Sequence, residues 1–566
     1  MVGLTSCGIK ARIKYADKKY AIGEYYDAAE IYKQVIGRIN PKKDPKLKAE
    51  VAFHQAECYR ILNNTRATSA YKMAIRYHYK DSIVYLHYAQ ALQYQSKYPE
   101  ALKNYDIYLR TYPNDYVAQA GQYACSQIAE WRKQASRYKI ALAKDFNAKR
   151  TSSFAPAFIG DNADAIMFTS NRAQQSANKK TKRNSPVTGV QHFQLFTTHK
   201  NAAGQWEDIE MPEGLYSDEE QVADENDTTA TSGTKKTGST ELGVCCFTSD
   251  GRTMYFTYSC PINGQDQGTK IFMSSRASGE WGEPQEVVLF PDSSITVGHP
   301  SINATNDTLY FVSDAEGGYG GKDIYMAELD GNNWVNVQNL GPKINTSADE
   351  MFPCIHPDGS LYFASNGHPG YGGLDLFRAE RDTTSSVSDA PISWILYNLG
   401  YPFNTHGDDF GITFAGNSQN GFFSSNRAQK KGYDEIYSFY LPEIEFLVEG
   451  NVTDNNGEKM TEATIRIVGT DGTNSKIQVR RDGTYTINLN CILNSLFLSN
   501  FFYSCLLYSL FYRSFLNIVD DAMNWFMEHP AELEKFNLFF GNDYEADEVF
   551  EKIKNLPVTF TTHTNH

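Results

Sequence analysis

The sequence lacks every short signature from which a reaction is usually read. There is no G-x-S-x-G elbow, no H-E-x-x-H and no glycine-rich phosphate loop running into Lys-Ser or Lys-Thr. It lacks an excess of positive charge. With 53 Lys and Arg against 67 Asp and Glu, the net charge of −14 excludes a nucleic-acid binder that lives by neutralising phosphates. The nine Cys, two of them adjacent at Cys245 and Cys246, form neither paired C-x-x-C spacing nor a disulfide framework. The twelve His are scattered. His299 and His356 each precede a Pro at the start of a repeat and read as structural, and His87 falls on a helical repeat as a groove-facing polar group. No catalytic residue, metal or cofactor is therefore expected, and the chain reads as a non-enzyme.

What the sequence does contain is repetition. Strands "AIMFTSNR", "TMYFTY", "TLYFVS", "SLYFAS" and "GFFSSNR" align on Phe168, Phe256, Phe311, Phe363 and Phe423, at spacings of 88, 55, 52 and 60 residues. Each is preceded by a shorter strand ("FAPAF", "VCCF", "HPSI", "FPCI", "FGIT") and followed by another ("FQLF", "KIFM", "DIYM", "DLFR", "EIYS"). Trp206, Trp281, Trp334 and Trp394 close four of the five units. About four short strands at a period near fifty is the pattern of a β-propeller blade. Five blades are counted, and a sixth irregular one fits within 207–243. The fifth unit lacks an outer strand, which "RYKIALAK" at 137–144 could supply, closing the ring.

Two turns nearly duplicate each other: "SDAEGGYGGKD" at 313–323 and "SNGHPGYGGLD" at 365–375. Gly317, Gly318, Gly320 and Gly321, like Gly370, Gly372 and Gly373, are expected to supply positive φ in a tight connection. Asp323 and Asp375 are expected to accept the turn's N–H groups, since their spacing is not that of a calcium loop. "NLGPKINTSADE" (339–350) and "NLGYPFNTHGDD" (398–409) make a second duplicate, with Asn345 and Asn404 as turn residues.

Before the blades, Ala28, Tyr32 and Val35 recur as Ala67, Tyr71 and Ala74 and again as Ala101, Tyr105 and Tyr108, with offsets of 39 and 34. The latter is the tetratricopeptide period, and such solenoids offer a concave surface to partners. The chain thus divides into 1–8, a remnant of a lipoprotein signal and anchor; 9–136, tetratricopeptide-like helices; 137–442, a propeller; 443–490, a small β-sandwich; and 491–566, an atypical tail. Two loops, the basic "ANKKTKRNSP" (177–186) and an acidic run with ten Asp or Glu from Glu207 to Asp227, read as solvated insertions. The uncharged "CILNSLFLSNFFYSCLLYSLFY" at 491–512 fits three readings: a membrane span, a buried hairpin or helix, and a frame break.

"LTSC" at 4–7 has the residues of a lipobox, with Cys7 as the lipidated position, although only six residues precede it. The order of these parts, including "VEGNVTD" and "EATI" (462–465), resembles the Bacteroidetes OmpA-family lipoproteins of the type IX secretion system over about residues 7–490. The blades are similar to WD40-like, TolB-type repeats and 446–489 to the carboxypeptidase regulatory-like fold. The resemblance implies a periplasmic scaffold, held to the outer membrane by lipid on Cys7, whose partners are proteins of a secretion complex. In that family a C-terminal OmpA-like domain binds peptidoglycan; after Asn490 no such pattern follows here, so wall binding is not implied. Two rivals stand beside the scaffold reading. One is a glycan- or peptide-binding propeller, hydrolytic in its stronger form, with carboxylates converging in the channel; the other is a nonfunctional fragment.

Overall fold

The computed structural model describes residues 2–172, 184–215, 241–259, 268–277, 279–382, 393–428, 432–442, 447–454, 457–461, 463–468 and 474–488. The chain forms two units, Met1–Pro442 and Glu443–His566. The first opens with seven helices: α1 (Val2–Ala21), α2 (Tyr25–Ile36), α3 (Pro45–Ile61), α4 (Ala67–Arg76), α5 (Ile83–Gln93), α6 (Tyr98–Leu109) and α7 (Tyr116–Trp131). Each packs on the next, while α3 also meets α5 and α5 meets α7.

The recurring triad explains this packing. Its members stand at i, i+4 and i+7 on α2, α4 and α6, so they fall on one stripe, and all nine are buried. The alanines admit a neighbouring helix closely; the aromatic and aliphatic members fill the groove beside them. Pro45 and Pro99 lie in the first turns of α3 and α6, where a missing N–H costs nothing. Asp115 caps α7 by accepting from the Ala118 N–H at 2.9 Å. No helix among the described residues is long and apolar enough to cross a membrane.

A five-bladed propeller follows. Its first strand, β1 (Lys139–Leu142), belongs to the last blade. Blade one is β2 (Ser153–Phe158), β3 (Ala165–Ser170) and β4 (Gln194–His199), edged by single bridges from Thr197 to Glu210 and Lys200 to Trp206. Blade two is β5 (Glu241–Phe247), β6 (Thr253–Ser259), β7 (Lys270–Ser275) and β8 (Gln285–Glu286). Blade three is β9 (Val297–Ile302), β10 (Thr308–Ser313), β11 (Asp323–Asp330) and β12 (Asn333–Asn339). Blade four is β13 (Glu350–Ile355), β14 (Leu361–Ser365), β15 (Asp375–Arg381) and β16 (Trp394–Asn398). Blade five is β17 (Asp409–Phe414), β18 (Asn420–Ser425) and β19 (Glu435–Tyr440), completed by β1, which pairs antiparallel with β19 from Lys139 opposite Tyr440 to Leu142 opposite Tyr437.

The innermost strands β2, β5, β9, β13 and β17 each pack on the next, and β17 packs on β2, so the ring is closed. The five aligned phenylalanines, Phe168 to Phe423, are all fully buried between blades. The described residues make five blades and not six; of the stretch that left room for another, 216–240 lies outside them.

In the second unit β20 (Leu447–Asn451) pairs with β23 (Thr484–Asn488), and β21 (Thr464–Val468) with β22 (Asn474–Gln478). The tail from 491 onward lies outside the described residues, as does most of the basic loop.

Candidate functional site

The centre of the ring is built from one repeated irregularity. Each inner strand carries a bulge whose residue has positive φ: Ala155, Val244, His299, Phe352 and Gly411. A bulge turns the following side chains and leaves an N–H outside the ladder. The residue after each aligned Phe on the preceding blade meets that need at three junctions. Thr169 Oγ1 accepts from Val244 N at 2.9 Å, Thr257 Oγ1 from His299 N at 2.9 Å, and Ser424 Oγ from Ala155 N at 2.8 Å. Blade three has Val312 at that place, and His299 Nδ1 accepts from Phe352 N instead at 3.3 Å. His299, read from the sequence as structural, thus receives the bulge N–H of the next blade. Burial pushes its imidazole down to about 3, so it stays neutral.

These bulges fill the axis with rings. His299 stacks on Phe352 at 4.1 Å between centroids, Phe352 meets Phe410 at 4.6 Å, and Phe410 meets Phe154 at 5.9 Å. Four blades thus contribute one ring each to a chain of neighbouring rings, stacked between His299 and Phe352 and tilted at the other two contacts. No group of three or more His, Cys, Asp or Glu among the described residues is placed to hold a metal.

The carboxylates gather elsewhere, on the face of the ring that the helices cover. In the blade-three turn Asp323 accepts from Tyr319 N and Gly320 N, and in blade four Asp375 accepts from Gly372 N, as the sequence led us to expect. The glycines serve a different purpose from the one expected. Of the seven, only Gly317 has positive φ; a Cβ on Gly320 or Gly372 would collide with the carbonyl oxygens of Ala348 or His406. Close approach, not backbone handedness, requires glycine there.

Asn345 and Asn404 are also more than turn residues. Both are buried, and each clasps the third strand of the preceding sheet. Asn404 accepts from Leu376 N and donates to Leu376 O, and Asn345 does the same with Ile324. Asn147 repeats this on Ile436, a third copy that the sequence reading missed.

The blade-four turn is gripped by the helices. Asp408 is the hub: Asn63 donates to Oδ2 at 2.6 Å, Tyr94 at 3.2 Å and Asn426 at 2.8 Å, while Leu374 N donates to Oδ1. Gln93 Nε2, itself oriented by the Tyr105 hydroxyl on Oε1, donates to Gly370 O at 3.0 Å. Tyr116 reaches His368 Nδ1, and Trp131 packs on Tyr371 at 5.5 Å. At the other end, Tyr26 N donates to Val187 O on blade one. Burial raises the Asp408 carboxyl, against the hydrogen bonds from Leu374 N and Asn426. Burial, joined by the Asp409 charge, pushes Asp375 well above the usual range, and its Oδ1 has no partner. Two cavities remain along this seam, of about 20 Å³ beside Asp375 and about 120 Å³ between Arg60, Tyr94 and Asp408. The smaller has room for about one water.

Within the helices a second buried network centres on Glu57, which accepts from Tyr71 at 2.5 Å, pairs with His87 at 2.7 Å and holds Arg60 at 2.9 Å. Burial pushes its carboxyl up, but His87, Arg60 and Tyr71 together hold it at about 2. His87 is thus a partner of a buried acid, and His356 is buried beside Asp358. Cys245 is buried and its thiol is raised by burial. Cys7 falls within α1, and its side chain lies outside the described residues.

No family model matches the chain. No curated protein matches it either. Solved structures do align with it. A protein of unknown function from Dyadobacter fermentans covers 54% of this chain and 98% of its own at 8% identity, with a TM-score of 0.29. A gluconolactonase from Xanthomonas campestris covers 54% and 90% at 12% identity and a TM-score of 0.28. An α-L-arabinofuranosidase from Lactobacillus brevis covers 56% and 96% at 10% identity and a TM-score of 0.33.

Proposed function

We propose that this protein is a non-enzymatic scaffold of the cell envelope, working through protein–protein contacts in a secretion machinery of the type IX kind. The observation that carries the reading is the chain of ring contacts from His299 through Phe352 and Phe410 to Phe154 on the inner strands of four blades. It occupies the place where a ring of blades would otherwise converge polar side chains on a substrate. The buried acidic groups hold blade turns, and Asp408 joins helices to blades; a fused pair of repeat surfaces suits an adaptor.

In this reading the helices are a tetratricopeptide solenoid, the second unit is a carboxypeptidase regulatory-like β-sandwich, and the whole resembles the PorE component. Lipid on Cys7 would hold it at the periplasmic face of the outer membrane. The test is made in cells that produce the protein. Its removal is expected to stop export of type IX cargo, and a chain carrying His299→Ala or Asp375→Asn, provided it accumulates, is expected to restore it. Cargo export that continues without the protein would overturn the proposal. Loss of export on His299→Ala with normal accumulation would point to the binding or hydrolytic propeller instead.

A further inference from the structure

The two copies of the Gly-Gly turn have opposite fates. In blade four the turn lies under α3, α5 and α7, and Tyr371 is 2% exposed. In blade three every residue from Glu316 to Lys322 is exposed, and Tyr319, the counterpart of Tyr371, is 49% exposed. A nearly duplicate turn, with Gly317 at positive φ where blade four has Pro369, is thus displayed once with its cover and once without. The covered copy specifies what a cover supplies: a helix side-chain amide for the carbonyl of Gly370, an indole against the tyrosine ring, and a tyrosine hydroxyl beside His368. Gly318 and Tyr319 present the matching carbonyl and ring in blade three.

The bare turn is continuous with the covered one. Lys322 O accepts from Glu350 N, and Asp349 N donates to Asn366 Oδ1 at the foot of the blade-four turn. The helices run from blade one, under α2, past blade five, under α3, to blade four, under α7, where they stop. The next blade along that path is blade three. The last helix meets blade four through Tyr116 and Trp131 and is still half open on its aromatic side. Tyr116 and Tyr123 on α7 are 47% and 55% exposed, beside exposed Tyr112. Tyr116 touches His368, two residues past Asn366, which accepts from Asp349 N beside the foot of the bare turn, so the start of α7 and the exposed copy lie a few contacts apart. Asp314, Glu316 and Lys322 are exposed, and Asp349 is half-buried.

The geometry points to a docking site at this corner for an amphipathic α-helix of a partner protein, which stacks on α7 and covers the blade-three turn as α5 and α7 cover that of blade four. The partner helix carries basic side chains toward Asp314 and Glu316, and a side-chain amide with an aromatic residue toward Gly318 and Tyr319. The inference deepens the scaffold reading and rests on it only for the existence of protein partners. Cargo export tests that reading; the corner has its own readout.

The experiment places p-benzoylphenylalanine at Tyr319 of the full chain in cells that make it, with the same probe at exposed Val288 of blade two as control. Irradiation is expected to give one discrete adduct from 319, absent from 288, whose cross-linked peptide maps to a helix bearing Lys or Arg. Tyr123→Ala and Glu316→Lys, both at exposed positions, are each expected to cut the adduct at least fivefold while the melting point stays unchanged. Three outcomes overturn the proposal: no adduct above the 288 control, an adduct with a second copy or with a non-helical segment, and an adduct indifferent to both substitutions.

Discussion

Three blades carry the same acid–base position and fill it differently. In blade five, Asp409 accepts from Thr405 and Ser425 and pairs with Arg427 at 2.7 Å. In blade four, Glu350 accepts the matching bonds from Thr346 and Ser365, but Gly367 stands where Arg427 would be. In blade one, Arg172 is present and Ser153 replaces the acid, so burial pulls the guanidinium down to about 10. Left without a cation, Glu350 is raised by burial to about 7, against the bonds from Ser365 and Thr346. The folded form therefore keeps a proton that an unfolded chain loses between about pH 4.5 and 7. The contribution of Glu350 to stability is full below that window and is lost as pH rises through it, by up to roughly 3 kcal/mol. Glu350→Gln is expected to flatten the dependence, melting a few degrees higher than the natural chain at pH 8 and little differently at pH 4.5. Arg427→Ala should act in the opposite sense by stranding the buried Asp409 carboxylate, costing about 3–5 kcal/mol in urea unfolding at pH 7.

At the scale of elements, the asparagine clasps matter more than turn chemistry. Asn404→Ala removes the bonds to both backbone groups of Leu376 and to Asn398. Leaving those groups buried and unmet should cost about 2–4 kcal/mol, read from the urea midpoint. The blades themselves were legible in the sequence because burial between blades imposes one large apolar residue at one place; the aligned phenylalanines are all at 0% exposure. The outer strand β1 was legible for a similar reason, since a blade missing one strand demands it. The clasps were not, because an Asn that pairs with a distant strand reads like an Asn in a turn until the strand is placed. Asn147 stood out even less, for its neighbours do not repeat the longer phrase.

At the scale of the whole first unit, helices and ring are joined by polar bonds through Asp408 rather than by an apolar face alone. Asp349 holds the equivalent place one blade earlier, and among the described residues no hydrogen bond joins its side chain to a helix, so nothing in the duplicated phrase distinguishes the two. That is why the seam escaped a reading of the sequence, although the repeat containing it did not. Asp408→Ala removes the acceptor of Asn63 and Tyr94. It is expected to raise amide hydrogen exchange at least tenfold at the C-terminal ends of α3 and α5 while β10 and β14 stay protected. Equal loosening of helices and blades would refute the seam as a local hinge.

The pairing of β1 with β19 also sets how the ring bears a load. Lys139 lies opposite Tyr440, so the chain enters β1 and leaves β19 at the same end of an antiparallel pair. A pull applied from the helices on one side and from the second unit on the other would reach the rungs in turn, not together. The ring would peel open at that seam, rung by rung, at a force well below what shearing the same pair would need. Once the helix–blade bonds through Asp408 and from Ser136 N to Tyr401 O had yielded, a molecule strung between two anchors would thus open at this clasp.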